Sequence, residues 1–129
     1  VYERYTGALR KLETALKNGE YGSESDGEQI QKRKETVQKL RRKVIEVAME
    51  QGVKQFNPAI TEIEILRKDF PNDADLFLRQ GYCILNMMKQ NDWQKSAAEN
   101  FDLAMVHGPE LIDGYLAMMQ LVEKNSRVL

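Results

Sequence analysis

Residues 71–109 read PNDADLFLRQGYCILNMMKQNDWQKSAAENFDLAMVHGP, two helix-period runs held between prolines. From about Asp73 to Lys89, Leu76, Phe77, Gly81, Ile84, Leu85 and Met88 share one apolar face. From about Trp93 to Val106, Ala97, Phe101, Ala104 and Met105 do the same. Such spacing is that of helices burying one side, and no alternating strand pattern persists. Asn91-Asp92 breaks the two runs, and a break that short predicts antiparallel neighbours. Proline is tolerated in the first turn of a helix and not in its interior, so Pro71 and Pro109 mark where one hairpin ends and the next begins.

The same punctuation extends outward. Pro109 to about Lys124 predicts a sixth helix with Leu111, Ile112, Tyr115, Met118, Met119 and Val122. Upstream, Asn57-Pro58 reads as an N-cap followed by proline, opening a third helix through Ala59, Ile60, Ile63 and Leu66 to about Asp69. A second helix is expected from about Glu28 to Gln51, ended by Gly52, and a first from about Tyr2 to Lys17. Tyr2, Tyr5, Leu9, Leu12 and Leu16 fall at 3-4-3-4 spacing, the narrow seam of paired helices. Between these two, Gly19–Gly27 (GEYGSESDG) is polar, acidic and glycine-rich, and reads as a flexible linker. The expectation is an all-α fold of antiparallel helix hairpins in one domain over 1–129, an N-terminal helix pair at 1–51 and a helical array at 52–129.

Composition removes many functions. The 129 residues are 42% hydrophobic and 30% charged with a net charge of −1, enough for one core. The single cysteine, Cys83, rules out an internal disulfide framework, and the single histidine, His107, rules out the two- and three-histidine zinc sites. No run reaches the roughly 18–20 apolar residues of a membrane span and no signal-type segment opens the chain, so a soluble, cytoplasmic protein is expected. Its first residue, Val1, suggests a processed chain or an excised domain.

Residues 71–109 resemble a tetratricopeptide repeat, and with a half repeat upstream the resemblance covers about Phe56 to Pro109. Phe77 and Gly81 match the first-helix aromatic and small residue, with Gly81 ten residues after Pro71. Ala97, Phe101, Ala104 and Pro109 match the second-helix series, and Ala59, Ile63, Leu66 and Pro71 repeat it upstream. The sequence departs from the family in three places. Sixteen residues rather than twelve separate Gly81 from Ala97, Trp93 is one position out of register, and the helix before Phe56 lacks the small residue. The extra four residues are about one helical turn and rotate the buried faces little. The sixth helix either starts another repeat or caps the array. The resemblance implies a short tetratricopeptide-like α-solenoid working as a protein–protein interaction module, with a partner segment docked between successive first helices.

No acid, base or nucleophile is assembled, so no catalytic residue, metal ligand or cofactor is expected. His107 reads as a donor at a helix C-terminus, and Cys83 as a small packing residue. The carboxylate pairs Glu62/Glu64 and Asp73/Asp75 stand two apart, about 200° around a helix, which does not suit a shared acid–base site. Asp73 instead suits a helix start. Ser23-Glu24-Ser25-Asp26 reads as solvated linker, with phosphorylation as the functional reading. Lys32–Lys43 holds seven basic residues and one acidic, a local charge of +6. Without interleaved aromatics, and with the bases spread around the helix, the pattern disfavours nucleic acid; the shortage of Trp, Phe and Leu disfavours a membrane.

The expected partner is a protein or peptide. Arg79, Tyr82, Asn86 and Lys89 on the fourth helix, with Arg41 and Arg42 upstream, are the candidate contacts. Met87, Met88, Met105, Met118 and Met119 suit core gap-filling, or an adaptable groove shared with Tyr82 and Tyr115. Two alternatives are a homo-oligomer paired through the seams of the first two helices, and an anion- or nucleic-acid-binding repeat using 32–43.

Overall fold

The computed structural model describes residues 2–17, 27–89 and 91–128, with side chains to 124. Six helices follow one another: α1 (Tyr2–Lys17), α2 (Gly27–Gln51), α3 (Phe56–Asp69), α4 (Ala74–Met87), α5 (Trp93–His107) and α6 (Ile112–Val128). A single 3-10 turn, Val53–Gln55, joins α2 to α3, and there is no strand among the described residues. Each helix packs on the next, and α4 also meets α6. The fold is all-α and solenoid-like, built by neighbour-to-neighbour packing. The linker expected over Gly19–Gly27 lies outside the described residues except for Gly27, which opens α2; the Ser23–Asp26 reading lies outside them as well.

Two helix starts differ from the sequence reading. The 3-10 turn feeds directly into α3, which begins at Phe56, so Asn57 is already helical and does not cap it. The Asn57 carbonyl accepts the Thr61 hydroxyl instead, at 3.2 Å. Pro58 still sits in the first turn, where no N–H is needed. At the other end, α6 begins at Ile112, because Gly108 is pressed into the core and delays the helix. A Cβ on Gly108 would lie 2.7 Å from the Ala74 Cβ. Asp73 does cap α4, its carboxylate accepting the Leu76 N–H at 3.3 Å.

Three buried clusters each draw on consecutive helices. Ile45, Ile63, Leu66 and Leu76 join α2, α3 and α4. Ala48, Phe56, Ala59 and Cys83 join the same three one layer away. Leu85, Trp93, Ala97, Phe101, Ala117 and Leu121 join α4, α5 and α6. The small residues act as the sequence predicts: a Cβ on Gly81 would lie 2.6 Å from the Phe101 ring. The seams of α1 and α2 pack on each other within one chain, burying Leu9 and Val44.

α4 stops at Met87 because Met88 adopts φ 49° and ψ 35°, the left-handed conformation that normally favours glycine. Met88 is exposed, so little packing is lost by truncating it. Met88→Gly is expected to stabilise the fold by about 0.5–1 kcal/mol through relief of this strain. A rise in the urea midpoint at unchanged slope is the readout, and a fall would show that the Met88 side chain outweighs its backbone cost.

Candidate functional site

α2, α4 and α6, every second helix of the chain, contribute to one cavity of about 340 Å³. Met49 comes from α2; Asp75, Leu78, Arg79 and Tyr82 from α4; Asp113, Leu116, Ala117 and Gln120 from α6. The wall is apolar at Met49, Leu78, Tyr82 and Leu116, and polar at its rim. Arg79 Nε donates to the Asp75 carboxylate at 2.9 Å, and its Nη1 approaches the Met49 sulfur at 3.7 Å. Tyr82 stands edge-on to Phe56, ring centres 6.3 Å apart, with its outer side exposed.

The six residues expected to contact a partner are distributed unevenly. Arg79 and Tyr82 line the cavity. Asn86, one turn on, donates to the Tyr82 carbonyl at 2.8 Å and accepts from Lys124 Nζ at 3.5 Å, tying α4 to α6. Lys89 is exposed just beyond the end of α4. Arg42 lines a second cavity of about 140 Å³ that shares Asp75 and Arg79 with the first, and it pairs with Asp73 at 2.7 Å across the Phe70 ring.

Arg41 is elsewhere. It is 4% exposed, bonded to Glu62 of α3 and, at 2.8 Å, to Glu13 of α1. Its helix face points between α1 and α3, where it lines a separate hollow of about 780 Å³ with Arg10, Glu13, Gln38 and Ile65, and it takes no part in the 340 Å³ cavity.

Met49, Asp75, Leu78, Asp113, Leu116, Ala117 and Gln120 were not among the sequence candidates. A signal for most of them is present, because α4 and α6 are in register at an offset of 38 residues. Asp75 corresponds to Asp113, Leu78 to Leu116, Arg79 to Ala117 and Tyr82 to Gln120, just as Pro71 corresponds to Pro109. The same positions of α4 and α6 therefore face the same cavity. No family model, curated protein or solved structure matches the chain.

Other chemical candidates resolve into structural roles. Cys83 is fully buried, and loss of solvation pushes its thiol up to about 12 against the opposing charge of Arg79. It is held as a neutral packing group. His107 ends α5 and stacks on Phe77 at 5.7 Å. Among the described residues, no three His, Cys, Asp or Glu lie close enough to hold a metal ion, and no helix is long and apolar enough to cross a membrane.

The basic stretch 32–43 is partly consumed internally: Arg41, Arg42 and Lys43 pair with Glu62, Asp73 and Glu46. The methionines do not share one groove with both tyrosines. Met49, from the N-terminal half, accompanies Tyr82, whereas Met105, Met118 and Met119 surround Tyr115 on a separate apolar surface.

Proposed function

We propose that the chain is a non-catalytic protein-interaction module of tetratricopeptide-like build, holding a partner segment in the cleft across α2, α4 and α6. The observation that carries this is the lining of the 340 Å³ cavity by equivalent positions of α4 and α6. Support for the tetratricopeptide-like build comes from Gly81 under Phe101 and from the hairpin register of α4 and α6. An apolar side chain of the partner would seat against Leu78, Tyr82 and Leu116, while Arg79, Asp75 and Asp113 set its orientation. Burial of Arg41 and the pairing of Arg42 with Asp73 take two of the seven bases of 32–43 away from the phosphate-binding alternative.

Peptides selected from a random display library on the folded chain are expected to occupy this cleft. Tyr82→Ala and Arg79→Ala should each weaken the selected peptides by about tenfold, roughly 1.4 kcal/mol. Lys95→Ala, at an exposed position of α5, should leave them unchanged. Unaltered affinity in both cleft variants, with helical circular dichroism intact, would refute the reading.

A further inference from the structure

α6 is apolar on two opposite faces. Gly114, Ala117 and Leu121 are buried towards α4 and α5. On the far side Ile112, Tyr115, Met119 and Val122 form a 3-4-3 stripe, 71, 45, 59 and 58% exposed. Met118 and Met105 adjoin it across an apolar hollow of about 530 Å³.

The register with α4 shows what such a stripe is for. Tyr115 corresponds to Phe77 and Met119 to Gly81, and both α4 residues are buried. Gly81 meets α5 at close range because it lacks a side chain. Met119 fills that position, so the tight α4–α5 fit cannot be repeated on α6, and a looser contact with a deformable surface is favoured.

We propose that this stripe is a self-association surface, at which two copies of the chain pair α6 against α6 in antiparallel sense about a two-fold axis near Ala117. A two-fold contact must be self-complementary. Here the axis sets Ile112 against Val122 of the second copy and Tyr115 against its Met119, aliphatic on aliphatic and thioether on aromatic. The 3-4-3 spacing is the narrow seam that one helix offers another, and none of the four residues is charged. The antiparallel sense also places opposite ends of the two helix dipoles together. With Leu116 at the edge, roughly 600 Å² per chain is open, so pairing buries at most about 1,200 Å², the lower limit of specific interfaces. The pair is therefore weak and concentration-dependent, on the order of micromolar. Of the exposed residues involved only Leu116 also lines the cleft, so Met119→Lys alters the pairing surface and leaves the cleft wall intact.

Sedimentation equilibrium of the chain from about 1 μM to 1 mM tests the assignment. The mass is expected to rise from 14.9 kDa towards twice that value. Met119→Lys should return it to the monomer at every concentration with helical content unchanged. Val53→Lys, at an exposed apolar position in the 3-10 turn, should not. The double variant Tyr115→Cys/Met119→Cys, with Cys83 buried and out of reach, should form disulfide-linked dimers under mild oxidation. A 14.9 kDa species at all concentrations would overturn the proposal, as would a dimer that Met119→Lys leaves intact.

Discussion

Phe101→Ala is expected to destabilise the protein by about 3–5 kcal/mol, a large share of the roughly 5–15 kcal/mol that holds a typical domain together. Phe101 is fully buried and lies in the cluster that unites α4, α5 and α6. Removing its ring leaves a cavity between helices whose separation is fixed by other contacts. The partner substitution sharpens the test. A Cβ at position 81 would lie 2.6 and 2.8 Å from two ring carbons of Phe101 and 3.1 Å from the Asn100 Cβ. In the native background Gly81→Ala therefore overpacks a rigid ring, costing about 1–3 kcal/mol, and this opposes the roughly 1 kcal/mol that alanine gains over glycine in a helix. With Phe101 already alanine the ring clash is gone, only the 3.1 Å approach to the Asn100 Cβ opposes the helix preference, and the same change becomes much less costly. Urea unfolding of the four species should give a strong favourable coupling. Additive losses would show that α4 and α5 separate freely at this point.

That pair was legible in the sequence because its signal is local: a small residue and an aromatic at helical spacing, between prolines that set the hairpin ends. The six helices were legible for the same reason. Their starts were less so where a neighbour intervenes, as when the 3-10 turn moves the start of α3 to Phe56 and the burial of Gly108 moves that of α6 to Ile112. In the candidate site, Arg79 and Tyr82 were found by their polarity on a helix expected near the cleft. Leu116 and Ala117 were not, because apolar residues read as core, and only the spatial neighbourhood separates a core leucine from one lining an opening. Arg41 shows the converse. Within 32–43 it looks like one more surface base, and its burial is decided by acids on two other helices, one of them 21 residues downstream. No window the length of a helix contains that information.

Those acids supply the second large effect. Glu62, 3% exposed, accepts from Arg41 of α2 and from Arg10 of α1, while Glu13 of α1 takes the other terminal guanidinium nitrogen of each arginine at 2.7–2.8 Å. Two positive and two negative groups thus close a neutral ring that fixes α1 to the α2–α3 pair. The Glu62 carboxylate, against partial burial and with help from Glu13, holds the Arg10 guanidinium above its ordinary value. Glu62→Ala is expected to cost about 3–5 kcal/mol, because the buried Arg41 loses one of its two acids and retains only Glu13, which is itself partly in solvent. Arg41→Met alone strands Glu62 in the same way, with the half-exposed Arg10 as its sole partner.

The double change Arg41→Met/Glu62→Leu removes both buried charges together and leaves Arg10 and Glu13 to pair at the edge, so it should fall within about 1–2 kcal/mol of the native protein. A loss near the sum of the two single variants would instead mean that the ring contributes net stability. Salt separates the inner and outer members. Raising the ionic strength should weaken Arg10–Glu13, which water reaches, and hardly affect the cost of Glu62→Ala. Because α1 meets the rest of the described fold chiefly through α2 and this ring, Glu62→Ala should also free α1 first. Amide exchange would then rise in residues 2–17 while α4 and α5 keep their protection.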